Sequence, residues 1–123
     1  MQINNPNKVN QDSLVIKTNL ADKNINLFAV ADGHGAFGHQ VSQYLVKNVS
    51  KPLEQELKAN NSFCDSIPKV FDKLQKGLTD SDINVACSGS TFVAVCVTSE
   101  EIICANVGDS RAILARQSTT LLI

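Results

Sequence analysis

The most informative segment of the sequence is Phe28-Ala29-Val30-Ala31-Asp32-Gly33-His34-Gly35. Four apolar residues run directly into a polar turn that contains two glycines. The segment after the turn carries Val41, Tyr44, Leu45 and Val49, a spacing typical of one face of an amphipathic helix. The order therefore predicts a strand, a tight loop and a helix, and a loop in that position is where a rigid scaffold presents functional side chains.

The loop carries groups that suit metal binding and proton transfer. The carboxylate of Asp32, at the end of the strand, is a ligand type that Mg²⁺ and Mn²⁺ prefer, and the neighbouring peptide carbonyl offers a second oxygen. His34 is able to give or take a proton near neutral pH. Residues 32–35 also fit an ordinary turn with a surface histidine, so the loop alone does not decide between a functional and a purely structural role.

Apolar runs elsewhere in the chain predict strands on both sides of a helical middle section. Leu14–Ile16 and Ile25–Ala31, joined by a polar loop, favour a β-hairpin. Helices are predicted from Val41 to Leu57, kinked or restarted at Pro52, and from an N-cap at Ser66 to a stop at Gly77; strands are predicted over 91–98, 102–107 and 112–115. Continuous rather than alternating hydrophobicity in the last strands indicates a layered sandwich with both sheet faces covered.

Composition and charge set limits on the class of protein. The chain has 123 residues, 43% of them hydrophobic, with a formal net charge of −1. Such a chain can bury one core, and its apolar content excludes disorder by composition. Near-neutral charge argues against a nucleic-acid-binding protein, which would carry a basic excess.

Cysteine spacing and the absence of long apolar runs bear on the compartment. The four cysteines contain no Cys-x-x-Cys pair, so we expect four reduced thiols rather than a structural zinc site. No signal peptide is recognisable after Met1, and no apolar run approaches the length of a membrane span. We therefore expect a cytoplasmic or nuclear protein that binds neither membranes nor nucleic acids.

Three further segments give residues 28–35 a context: Asn10–Ser13 before the first strand, Ser88–Thr91 at the start of the third, and Asn106–Arg111 after the fourth. In this combination and order, the segments resemble the metal-dependent PP2C-type (PPM) serine/threonine protein phosphatases, from about Val9 to Leu114. The resemblance implies an α+β fold, part of an α-β-β-α sandwich of mainly antiparallel sheets flanked by helices. It also implies hydrolysis of phosphoserine and phosphothreonine in proteins.

The resemblance assigns a role to each residue of the site. Asp32 would bridge two Mn²⁺ or Mg²⁺ ions, the Gly33 carbonyl would complete the shell of one of them, and Asp12 would hold a metal through water. Asp109 matches a position implicated in a weaker third metal. A metal-bridging hydroxide attacks phosphorus in that family, and His34 matches the general acid that protonates the leaving oxygen.

Two positions depart from the family pattern. Many members carry a phosphate-binding arginine where Asn7 stands, and the adjacent Lys8 is the candidate replacement, although it lacks the planar fork of arginine. Many members also have glutamate at the position of Gln11. The Asn-Gln-Asp form does occur in the family, so the second departure costs little.

The remaining polar residues in and near the motifs are expected to be structural. Ser88–Thr91 fits a tightly packed strand start, His39 belongs to the helix after the loop, and Arg111 is expected to pair with a nearby carboxylate such as Asp109. A zinc hydrolase using His34 and His39 is a weak alternative, because their spacing straddles a glycine loop.

The length suggests that residues 1–123 form only the N-terminal half of such a catalytic domain. The family's second half contributes two further metal-binding aspartates and several strands. We therefore expect the isolated chain to be inactive or weakly active, and to self-associate through exposed sheet edges. The alternative is a non-catalytic, pseudophosphatase-like module that binds a partner.

Overall fold

The computed structural model describes residues 8–115, which form one antiparallel sheet with three helices. The elements in chain order are β1 (Asp12–Leu20), β2 (Ile25–His34), α1 (Gly38–Asn48), α2 (Ser50–Lys58), α3 (Phe63–Thr79), β3 (Gly89–Ser90), β4 (Phe92–Val97) and β5 (Ile102–Val107). Mixed helices and antiparallel strands agree with the predicted α+β class.

Strand β2 lies at the centre of the sheet. The strand order is β1-β2-β4-β5, and the short β3 pairs with the last residues of β2. All of these pairings are antiparallel. The glycine-rich loop after β2 is therefore bordered by the start of β1 on one side and by β3 on the other.

Alternate residues of β2 face the helices and form the centre of the core. Leu27, Ala29 and Ala31 are almost completely buried, and Ala94 and Cys96 of β4 lie beside them on the same face. Small alanine side chains in the middle of a sheet face let the helices approach closely. The helical partners in this core are Val49, Leu53, Leu57, Phe63, Ile67, Val70 and Leu74.

On β1 and β2, the opposite sheet face is apolar but uncovered in the part of the chain that the structure describes. Leu14 and Ile16 of β1 are 66% and 58% exposed, and Phe28 and Val30 of β2 are 42% and 47% exposed. The prediction of covered faces concerned the last strands. It is wrong for β5, where Ile102 and Val107 are 54% and 51% exposed, whereas Phe92, Val93 and Ala94 of β4 are buried. The hydrophobic periodicity and composition of a strand do not show whether its second face is covered, since an apolar face has the same sequence in both cases.

Pro52 restarts the helix, as predicted. Helix α1 ends at Asn48 and α2 begins at Ser50, which places Pro52 in the first turn of the new helix. Because proline has no N–H to donate, that first turn is where it is best tolerated.

The predicted start of α3 is wrong by four residues. The N-cap is Ser62 rather than Ser66, and its Oγ accepts a hydrogen bond from the Asp65 backbone N–H at 3.1 Å. An acidic residue three positions after Ser62 strengthens this cap, whereas Ser66 is followed at that spacing by Lys69. Ser66 is instead buried, with its Oγ donating to the Ser62 carbonyl.

The structure also bears on the last predicted strand, the cysteines and the expected absence of a membrane span. The chain does not form the predicted strand over 112–115, whose residues are exposed coil. The four cysteines are free, as expected, and three of them are exposed. Within the described range, no helix combines the length and apolarity that a membrane crossing requires.

Candidate active site

Asp12 and Asp32 lie directly opposite each other on neighbouring strands. They are register partners at the start of β1 and near the end of β2, and both side chains are exposed. Directly opposite residues of an antiparallel pair share a sheet face, where two like charges are destabilising. In residues 8–115, the ion pairs both involve Glu56, so neither aspartate has a cationic partner there. The pair is thus a concentration of negative charge that a divalent cation would relieve.

Gly33 places its backbone beside this pair. Its N–H donates to the Gln11 carbonyl at 3.1 Å, which extends the β1–β2 ladder past the two aspartates. A Cβ on Gly33 would collide with the backbone carbonyl of Gly38 at the start of α1. The glycine therefore lets α1 pack against the strand end, and it keeps a bare peptide group next to Asp32.

Gln11 braces the loop from the other side. Its side-chain Nε2 donates to the Gly35 carbonyl at 2.9 Å, and its backbone carbonyl accepts a hydrogen bond from Ser42 Oγ at 2.6 Å. Ser42 is completely buried in α1 and also shares a hydrogen bond with Ser13 of β1. These bonds tie the loop, the first strand and α1 into one unit.

Thr91 holds Asp32 through two hydrogen bonds. The Asp32 N–H donates to Thr91 Oγ1 at 3.1 Å, and the Thr91 N–H donates to the Asp32 carbonyl at 2.9 Å. The Thr91 hydroxyl also shares a hydrogen bond of 2.7 Å with Ser110 Oγ. The backbone of Asp32 is thereby fixed without using its carboxylate, which remains free to bind a ligand.

An open cleft of about 520 Å³ collects most of the predicted site residues. Its lining consists of Lys8, Val9, Asn10, Gln11, Asp12, Asp32, Gly33, His34 and Gly35. The structure therefore brings together Lys8, the two aspartates, Gly33 and His34. Asn7, the position of the missing arginine, lies outside the described residues.

Asp109 is not part of the cleft lining. It lies in the exposed turn after β5, next to Ser110, whose hydroxyl reaches Asp32 only through Thr91. The ion pair expected between Asp109 and Arg111 does not form, since both pairs found in residues 8–115 involve Glu56. Asp109 is thus connected to the site through the backbone and hydroxyls rather than by direct contact.

The candidate ligands are of the type that a hard divalent cation prefers, but there are few of them. Asp12, Asp32 and the Gly33 carbonyl are oxygen ligands, which Mg²⁺ and Mn²⁺ prefer. Among the described residues, no group of three or more His, Cys, Asp or Glu side chains is placed to hold a metal. The same finding gives no support to a zinc site with His34 and His39.

Sequence reasoning missed the residues that support the site. Thr91 and Ser110 lie in the hydrogen-bond network around Asp32, whereas Ser42 joins Gln11 to Ser13. The sequence predicts only strand packing for Thr91 and no role for the two serines. The available signal was a run of small hydroxyl residues and glycine in Ser88–Thr91, which is unusual at the start of an apolar strand. Their partners are separated by up to 59 positions along the chain, so only the fold reveals the contacts.

Comparison with known sequences identifies a family. The family profile described as "Protein phosphatase 2C" matches residues 1–122. "Probable protein phosphatase 2C 35" of Arabidopsis thaliana is 38% identical over 111 residues, which are 89% of this chain and 32% of that protein. "Probable protein phosphatase 2C 64" of Oryza sativa subsp. japonica is 30% identical over 122 residues, covering 91% of this chain and 28% of that protein. The chain spans about a third of the length of these curated relatives.

Comparison with solved structures agrees. The PPM Ser-Thr phosphatase MsPP from Mycobacterium smegmatis, crystallised with cacodylate, superimposes with a TM-score of 0.59 at 27% identity, over 84% of this chain and 41% of that one. A bacterial serine phosphatase gives a TM-score of 0.62 at 24% identity, over 85% of this chain and 49% of that one, which supports the fold. This likeness confirms the α+β class, and because the family match extends over almost the whole sequence, the chain belongs to the protein phosphatase 2C family.

Proposed function

We propose that this chain forms the N-terminal part of a protein serine/threonine phosphatase catalytic domain, which hydrolyses phosphoserine and phosphothreonine. The single observation that carries the proposal is the cross-strand pair of Asp12 and Asp32, which shares one cleft with Gly33 and His34 in a chain of this family. The family is metal-dependent, and the resident ions are proposed to be two Mn²⁺ or Mg²⁺ in the complete domain.

Asp12, Asp32 and the Gly33 carbonyl would hold the metal. When bound, such ions supply activation of a water molecule and neutralisation of the phosphate oxygens. The side chains of this chain then have separate tasks. Asp32 presents its carboxylate from a backbone fixed by Thr91, and Lys8 attracts the phosphate to the same cleft.

His34 is proposed to protonate the leaving group. Hydrolysis breaks the bond between phosphorus and the serine or threonine Oγ, and the departing oxygen must gain a proton. His34 is exposed in the cleft at the end of β2, next to the metal-binding candidates. Its imidazolium would donate that proton, and the products are inorganic phosphate and the free hydroxyl.

The activity of the isolated chain is expected to be weak or absent. Two carboxylates and one carbonyl leave too few charged oxygens to hold two divalent cations firmly. The test is hydrolysis of an aryl phosphate with Mn²⁺, comparing the chain with its Asp32→Ala variant and with Asp72→Ala as a matched control, which removes an exposed carboxylate of α3 outside the cleft lining. Robust turnover that is lost only in Asp32→Ala would contradict the inactivity and support the catalytic assignment.

The alternative function is a non-catalytic module that binds a partner or a phosphoprotein. The short donor set within the described residues favours it over an independent enzyme. Calorimetric titration with Mn²⁺ tests the alternative. Micromolar binding that Asp32→Ala abolishes would support a metal centre and contradict the non-catalytic module.

Self-association is proposed as a consequence of the open sheet. The edge strands β1 and β5 have no partner on their outer side among residues 8–115, and the apolar face with Leu14, Ile16 and Phe28 is exposed. Unpaired edges and apolar faces favour pairing with a second copy. Light scattering at micromolar concentration should show a mass above that of the monomer, and a clean monomer would count against this part of the proposal.

A cytoplasmic or nuclear location belongs to the same proposal. It is supported by the three exposed free thiols, at Cys64, Cys87 and Cys104, which a reducing compartment would preserve. Fractionation of cells that express a tagged chain would test it, and recovery in a secreted fraction would refute it.

A further inference from the structure

We propose that Gly89 is a positioning residue for the imidazole of His34: the missing side chain at Gly89 creates the space that the ring occupies. The inference rests on the proposed function, in which His34 is the proton donor, and it assigns a role to the segment Ser88–Thr91 that strand packing alone does not explain.

The geometry of the β2–β3 pair carries the inference. His34, the last residue of β2, pairs directly with Gly89 of β3. A Cβ atom built on Gly89 would lie 2.7 Å from His34 Nε2 and 2.9 Å from His34 Cε1, closer than side-chain atoms pack. The ring thus lies over the glycine, a cross-strand arrangement in which an aromatic side chain covers the backbone of its partner.

The backbone of Gly89 does not itself demand glycine. Among the described residues, the glycines with positive φ are Gly35 and Gly108, at +82° and +100°. Gly89 is not one of them, so alanine is able to adopt its conformation without strain. The requirement for glycine therefore comes from the His34 ring.

The strand that carries Gly89 is fixed on both sides. On one side, Ser88 Oγ accepts a hydrogen bond from the Phe37 N–H at 2.9 Å. On the other, the Thr91 N–H donates to the Asp32 carbonyl at 2.9 Å. Since β3 is held at both ends, a methyl group at position 89 would displace the exposed ring rather than the strand.

The experiment is ¹H–¹³C NMR of the histidine rings in the 123-residue chain at a single fixed pH. The sequence contains two histidines, so the spectrum is simple, and a His39→Gln variant assigns the peaks. We expect a nuclear Overhauser effect between a Gly89 Hα and His34 Hε1 in the unsubstituted chain. In Gly89→Ala, the His34 Hε1 cross-peak should shift while the His39 cross-peak stays in place.

Ser90→Ala is the matched control, because it substitutes the adjacent residue of the same short strand and should leave the His34 cross-peak unshifted. A missing Overhauser effect in the unsubstituted chain, or an unchanged His34 cross-peak in a folded Gly89→Ala variant, would overturn the proposal. The Overhauser measurement needs no variant, so a Gly89→Ala chain that fails to fold does not block the test. These readouts do not involve turnover, whereas the aryl phosphate assay bears on the proposed function alone.

Discussion

The hydroxyl of Thr91 is predicted to contribute about 1–2 kcal/mol to the free energy of unfolding. Thr91→Val keeps the shape of the side chain, including the methyl group that lies against Gly108, and removes only the hydroxyl. Two hydrogen bonds are lost with it, one from the Asp32 N–H at 3.1 Å and one shared with Ser110 Oγ at 2.7 Å. A neutral hydrogen bond contributes about 1 kcal/mol net. Both partners are partly accessible to water, which places the cost at the lower end.

Urea unfolding followed by circular dichroism measures this difference. With a slope of about 2 kcal/mol per molar urea, a loss of about 1–2 kcal/mol lowers the midpoint by about 0.5–1 M. The measurement should be repeated at two protein concentrations, because an associating chain has a concentration-dependent midpoint. Thr91→Ser is the control, since it retains the hydroxyl and loses only the methyl group.

Two results would contradict a stabilising role of the Thr91 hydroxyl. A Thr91→Val midpoint equal to that of the unsubstituted chain would mean that water replaces both hydrogen bonds without cost. A Thr91→Ser variant destabilised as much as Thr91→Val would mean that the fit of the whole side chain, rather than the hydroxyl, sets the stability, because serine retains the hydroxyl and valine retains the methyl group.

Three further outcomes are expected from features away from the cleft. Hydrogen bonds from Lys73 and then Lys69 lower the pKa of Glu56, so its stabilising effect is present above the unfolded-state pKa and is lost as the pH falls through the folded-state pKa. Glu56→Gln should lower the urea midpoint at neutral pH and not in acid, and a pH-independent difference would exclude the ion pairs as the cause. Burial, followed by Glu101 and Cys64, raises the pKa of Cys96 to about 11, so an alkylating reagent at mildly alkaline pH should add three groups by mass spectrometry and spare Cys96; a fourth adduct on the folded chain would contradict its burial. Ala21 has a φ of 56°, which costs an L-residue about 1–2 kcal/mol, so Ala21→Gly should stabilise the chain by about 0.5–1 kcal/mol in urea unfolding, whereas Ala59→Gly, at a φ of −76°, should destabilise it.

The strand, loop and helix around Asp32 were predictable from the sequence because an apolar run leads directly into a turn with two glycines. Which face each residue takes was not predictable, since residues 27–31 are all apolar. In the structure, Leu27, Ala29 and Ala31 lie on the core side and Asp32 on the opposite face. The restart of the helix at Pro52 was also predictable from the sequence, since the effect of proline on a helix does not depend on distant residues.

Expectations failed for two different reasons. The N-cap of α3 was misplaced although a local signal was present, since Asp65 follows Ser62 at the spacing that strengthens a cap. The open face of the sheet was missed because distant parts of the chain decide it. Whether Phe28 is covered depends on what packs against it, and the sequence of β2 carries no information about that.

The candidate site is held in shape by contacts made within this chain. The end of β2 is bonded on one side to Gln11, through the Gly33 N–H, and on the other to Thr91, through the Asp32 carbonyl. Neither bond uses a carboxylate, so the geometry of the loop does not depend on a metal ion to assemble it. Residues 8–115 contribute little negative charge to the cleft, because Asp12 and Asp32 are the only acidic groups of these residues that line it. It follows that added acidic ligands, rather than a rearranged loop, would convert this preformed cleft into a strong site for divalent cations.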